Sequence, residues 1–141
     1  MSGGGAREAK AWLSWPYELS RRIEAGKARA ERLRAEAELA APRLEAAPSR
    51  GNGMRGNRAE EAAVRLISLE EEIARGEEEL AAALREAGHA IAGVPYPLGR
   101  RVLEARYLRF MGWEDAARSL GVSMRTALRA HRRALELLGA P

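Results

Sequence analysis

The sequence contains no cysteine and only two histidines. The first absence excludes disulfides, thiol catalysis and every cysteine-based metal site. The second leaves His89 and His131 too few for a histidine cluster. Aromatics are also scarce, with three Trp, three Tyr and one Phe among 141 residues. No apolar run approaches the roughly 18 residues that a membrane span needs, and the opening MSGGGAREAK lacks the apolar stretch of a secretory signal. A Gly-rich phosphate loop, a nucleophile–base pair and a metal constellation are likewise missing. These absences point to a soluble cytoplasmic protein that is not an enzyme, with no metal, no cofactor and no membrane partner.

Alanine and arginine dominate what is present. Because 29 residues are Ala, the apolar fraction of 46% overstates the core. Basic residues number 24 against 20 acidic, and 22 of the basic ones are Arg. That preference for Arg also fits the coding bias of a GC-rich genome. Base composition does not explain where the charge sits, however. Residues 1–97 carry a net charge of −1 and residues 98–141 a net of +5, together the +4 of the chain. A basic C-terminal quarter on a neutral body suits a polyanion-binding end.

Hydrophobic periodicity predicts an all-α chain. Residues 1–12, Gly-rich at the start, read as a flexible tail. Pro16 suits a first helical turn, where its missing N–H costs nothing. From there Leu19, Ile23, Gly26, Ala30, Leu33 and Ala37 recur at alternating steps of four and three, an a/d stripe. Pro42 and Pro48 end the pattern, and residues 42–57 read as a mobile loop rich in Gly, Pro and Asn. A second stripe runs through Ala62, Leu66, Leu69, Ile73, Gly76, Leu80, Leu84, Ala87 and Ile91. Glu61 with Arg65 and Glu71 with Arg75 are i,i+4 pairs in the favourable order. The triplets Glu70–Glu72 and Glu77–Glu79 fan around a helix and read as solvated. Two such helices can fold back as an antiparallel, coiled-coil-like hairpin over residues 13–93. Small side chains make that seam thin, about 25 cal/mol for each Å² buried, so a second copy of the chain is expected, a dimer most simply. The aromatics cluster near the two free ends of the hairpin, which predicts an aromatic joint there.

Residues 94–141 carry the functional signal. The segment GVPYP (93–97) breaks the second helix, and a helix over Leu98–Phe110 follows, with Val102, Leu103 and Tyr107 on one face. Trp113–Leu120 forms a short helix with Trp113, Ala116, Ala117 and Leu120 turned inward. Gly121–Val122 turns the chain and Ser123 caps the last helix. Ala127, His131, Ala134 and Leu138 lie on its packed side, with His131 a boundary residue packing by its ring. The opposite side presents Met124, Arg125, Leu128, Arg129 and Arg132, with Arg133 beside them. This layout is that of a helix-turn-helix. Arg grips guanine edges through two hydrogen bonds or binds phosphates as a cation.

The stretch over about residues 98–138 resembles region 4 of sigma-70-type factors, the part that reads a promoter element. It is more similar still to phage regulators of the RinA/ArpU type, which place a helical arm before a sigma-region-4-like helix-turn-helix. Arg106-Tyr107, Trp113-Glu114-Asp115, Ala117, Leu120-Gly121, Ser123, Arg125-Thr126, Arg129, His131 and Arg133-Ala134-Leu135 carry the likeness. Ala116, Ala127 and Ala105 depart from it, standing where Ile, Val and Leu are usual. The resemblance implies binding of double-stranded DNA near phage promoters and activation of late or packaging genes. It implies base contacts from Arg125 and Arg129, apolar contacts from Met124 and Leu128, and phosphate contacts from Arg132 and Arg133. Ser123 completes this set of expected DNA-binding residues. Two other readings stay open at this level: an oligomeric small terminase-like packaging subunit, and a module that binds RNA polymerase through the arm.

Overall fold

A computed structural model describes residues 2–46 and 52–139 of the chain. It is all-helical, and no strand occurs among the described residues. The elements are α1 (Ser2–Ala46), α2 (Asn52–Ala92), α3 (Pro97–Leu103), a π-helical turn (Glu104–Leu108), α4 (Trp113–Leu120) and α5 (Met124–Gly139). Pro48 and the middle of the loop expected over 42–57 lie outside the described residues. The flanks of that loop, residues 42–46 and 52–57, are helical. Two compact units divide the chain: Ser20–Glu78 forms one, and the residues up to Leu19 together with those from Glu79 onward form the other.

In the Ser20–Glu78 unit side chains of the two stripes come into contact. Ile23 and Ala30 are buried, and Gly26, Leu33, Leu66, Leu69, Ile73 and Gly76 are half-buried. The two glycines serve a matched purpose. A Cβ on Gly26 would stand 3.2 Å from Ile73 Cγ1, and one on Gly76 would stand 3.2 Å from Ile23 Cγ1. Each isoleucine thus fills the space opposite a missing side chain, so residues rising along α1 pair with residues falling along α2. Ion pairs follow the same order, Lys27–Glu77 at 3.7 Å and Arg34–Glu70 at 2.9 Å. All four side chains are exposed, so these pairs fix register more than they add stability. Glu61–Arg65 and Glu71–Arg75 are not among the ion pairs of the described residues, which join Arg34 to Glu31 and Lys27 to Glu24 instead.

The second unit overturns the expected tail. Residues 2–12 belong to α1, and Pro16 lies inside that helix rather than at its start. An interior proline gives up one backbone hydrogen bond. Here burial offsets that loss: Pro16 and Leu13, three residues before it, are fully enclosed, and Leu19, three residues after, is buried. Ala9 and Leu13 join Ala87, Ile91, Val94, Leu103, Tyr107, Ala134 and Leu135 in one core cluster. The start of α1 is therefore part of the same core as α3 and α5.

The link from α2 to α3 is built from local chemistry. Tyr96 is extended, as a residue before proline must be, and Pro97 opens α3 at a position that needs no N–H. Arg100 Nη1 donates to the Val94 carbonyl at 2.8 Å and ties the link to the helix it starts. A regular helix over Leu98–Phe110 does not form. After Leu103 the chain widens into the π turn, in which Arg109 N–H bonds the Glu104 carbonyl at 3.0 Å. Phe110 then takes a left-handed conformation, φ 57°, and Met111 N–H closes on the Ala105 carbonyl at 2.9 Å. A bulky residue there is strained. Its ring is held edge-on to Tyr17, with centroids 5.6 Å apart.

Gly99 sets how closely α3 approaches α5. A Cβ at this position would stand 2.7 Å from Tyr96 Cδ2 and 2.8 Å from Ala134 Cβ. Ala134 is fully buried on α5 and has no rotamer to yield. Gly99→Ala is expected to destabilise the protein by about 1–3 kcal/mol through overpacking, read as a lower urea midpoint. An unchanged midpoint would mean that the two helices separate freely.

Candidate nucleic-acid interface

Two helices and the turn between them position the basic face. Glu114 and Asp115 occupy the first turn of α4, where carboxylates favour the positive end of the helix. Gly121 closes α4 with φ 67°, a conformation for which a Cβ is penalised. Its N–H bonds the Arg118 carbonyl at 3.2 Å, and Val122 N–H bonds the Ala117 carbonyl at 3.1 Å. This is the hydrogen-bond pattern of a Schellman cap. The associated apolar contact is present too, since Val122 and Ala117 share a cluster with Val102, Ala127 and Ala130. One residue later Ser123 Oγ accepts the Thr126 N–H at 3.1 Å and donates to Thr126 Oγ1 at 3.0 Å. The serine N-cap expected for α5 is thus formed, and its hydroxyl is engaged within the helix start.

Helix α5 is divided lengthwise. Ala127, Ala130, His131, Ala134 and Leu135 are buried against α3, α4 and the start of α1. Met124, Arg125, Leu128, Arg129, Arg132 and Arg133 are all exposed, Met124 and Leu128 by 42% and 44%. Two large apolar side chains therefore stand among four arginines on one surface. Among the described residues Arg125, Arg129 and Arg132 have no ion-pair partner, whereas Arg133 Nη1 lies 3.5 Å from Glu136 Oε2. Ser119 on α4 is occupied with the Ala116 carbonyl, 2.8 Å away.

Behind this face sits a polar aromatic cluster. His131 is only 8% exposed. Its ring stacks on Tyr107 at 5.6 Å and meets the Trp113 ring edge-on at 4.8 Å. Tyr107 Oη and His131 Nε2 are 2.6 Å apart and hydrogen-bonded. Burial, with the positive charges of Lys10 and Arg106 nearby, lowers the His131 pKa from 6.5 to about 4. Burial also raises the Tyr107 phenol, against a smaller opposing effect of Arg106. Both side chains are therefore neutral at pH 7. The Arg106 guanidinium lies 4.5 Å from the centre of the Trp113 ring, a cation–π contact, and its Nη1 donates to the Met111 carbonyl. Of the aromatics expected at one joint, Tyr17 meets Phe110, and Tyr107 and Trp113 pack around His131.

Sequence reasoning missed two cations near the site. Arg7 and Lys10, assigned to the tail, stand exposed beside α5. The signal was there: Ala6, Ala9 and Leu13 extend the stripe of α1 backwards at steps of three and four. Among the described residues no group of His, Cys, Asp and Glu could hold a metal ion, and no helix is long and apolar enough to cross a membrane. No protein-family model matches the chain, and no similar curated protein or solved structure is found.

Proposed function

We propose that this chain is a sequence-specific DNA-binding regulator of transcription, of phage or prophage origin, and an activator of late or packaging genes. α4, the Gly121–Val122 turn and α5 act as a helix-turn-helix, with α5 entering the major groove. One observation carries the reading: three exposed arginines that have no ion-pair partner among the described residues share the outer face of α5 with two exposed apolar side chains. Uncommitted guanidiniums suit guanine edges and phosphates, and apolar tips suit thymine methyl groups. The paired stripes of α1 and α2 form the helical hairpin that joins two copies. Leu39, Val64 and Ile67, all more than half exposed, supply apolar surface for that contact.

The test is anisotropy binding to a duplex from the gene's own upstream region and to a shuffled duplex, across a salt series. A preference of about a thousandfold that survives moderate salt supports site-specific recognition. Equal binding that vanishes with salt leaves only backbone contact. Combined with a ring-sized mass in light scattering, it would favour a packaging subunit. Binding to RNA polymerase without DNA would favour the polymerase-directed module.

Two substitutions separate the roles within α5. Arg129→Ala is expected to cost about 1–3 kcal/mol on the preferred site and to relax specificity there. Arg133→Ala is expected to weaken all sequences alike and to reduce the salt slope by about one. Equal behaviour of the two variants would contradict this division.

A further inference from the structure

The start of α1 does more than complete the core. Its inner side is held close to α5, so close that a Cβ on Gly5 would stand 2.7 Å from the Gly139 carbonyl oxygen. Arg7 and Lys10, nearly one helical turn apart, are both exposed. Between them and α5 runs an open groove of about 690 Å³, whose walls include Arg7, Lys10, His131, Arg132 and Glu136. Three cations and one carboxylate thus line it, and that carboxylate, Glu136, lies 3.5 Å from Arg133 Nη1. The His131 ring adds no charge at neutral pH, and the nearby Lys10 charge contributes to keeping it neutral.

Arg132 belongs to this groove and to the outer face of α5 at once. Along the helix axis it stands about 10 Å from Arg125, at 1.5 Å per residue. A polyanion on that face would therefore pass Arg132 to reach the groove. We infer that Arg7 and Lys10, together with Arg132, form a backbone-phosphate site for the same duplex that α5 reads. The inference rests on the DNA-binding reading above and adds a second element to it. Phosphate contacts of this kind fix orientation on the duplex without carrying sequence information.

The experiment uses the full chain and the two labelled duplexes already named, the upstream one and its shuffled control. The Arg7→Gln/Lys10→Gln variant is expected to bind both duplexes more weakly by the same factor. Its plot of log affinity against log salt should be shallower by about 1.8, for two lost phosphate contacts at about 0.9 each. Its preference for the upstream duplex should be unchanged, as should its thermal midpoint, because both side chains are exposed. The charge-conserving Arg7→Lys/Lys10→Arg variant should retain the parent slope. Parent-like slope and affinity in the Gln variant, with Arg129→Ala still impaired, would overturn the inference and leave the DNA-binding reading standing. Failure of the parent protein to bind either duplex would remove both.

Discussion

Replacing Leu13 by alanine should cost about 2–5 kcal/mol, the range for truncating a fully buried leucine. Leu13 is completely enclosed, within the cluster that includes Ile91, Leu103 and Leu135. The cavity would open between α1, the end of α2 and the helices that carry the basic face. A flexible tail would predict no change at all, so the measurement has a large dynamic range. Urea unfolding monitored by tryptophan fluorescence reads it directly, because Trp12 and Trp15 flank the substituted position. A midpoint within experimental error of the parent would mean that residues 2–19 do not belong to the core of this unit. A large loss accompanied by weaker duplex binding would link the start of α1 to the proposed DNA-binding function, since α5 would lose one of its supports.

The error over that segment has a physical origin. MSGGG and Pro16 are strong local punctuation, and local propensity argues for a helix beginning no earlier than Pro16. Tertiary packing decides otherwise: Ala9 and Leu13 gain a core that an isolated peptide lacks. By contrast, α4 and α5 were legible almost residue by residue. Their amphipathic faces are narrow, the Gly121–Val122 turn follows a cap with a fixed hydrogen-bond pattern, and Ser123 caps as its position suggests. The π turn at Glu104–Leu108 left no trace in the sequence, because neither glycine nor proline marks it and Phe110 takes the left-handed angle. The burial of His131 could be anticipated from its helical register. Its bond to Tyr107 could not, because the two residues lie 24 positions apart. The basic face of α5 was readable as a pattern, whereas the flanking pair Arg7 and Lys10 required the folded start of α1.

The His131 cluster makes the protein's stability depend on pH in a defined window. In the folded state the ring takes a proton only near pH 4, against the ordinary 6.5 of an unfolded chain. Between those values the unfolded chain binds more protons than the folded one, so acid favours unfolding. The contribution is complete above about pH 6.5, declines as the pH falls, and is gone below about 4. A displacement of this size corresponds to about 3 kcal/mol. The raised Tyr107 pKa adds an alkaline limb: its contribution is present below the ordinary phenol value near 10 and fades as the pH rises through the folded value. Urea midpoints measured from pH 7.5 down to pH 4 should therefore fall in the parent protein. His131→Phe keeps an aromatic ring beside Trp113 and removes the titrating group. It should start less stable at pH 7.5, because the Tyr107 hydroxyl loses its partner, and then decline far less on acidification. A parent-like slope in that variant would show that other groups carry the acid sensitivity.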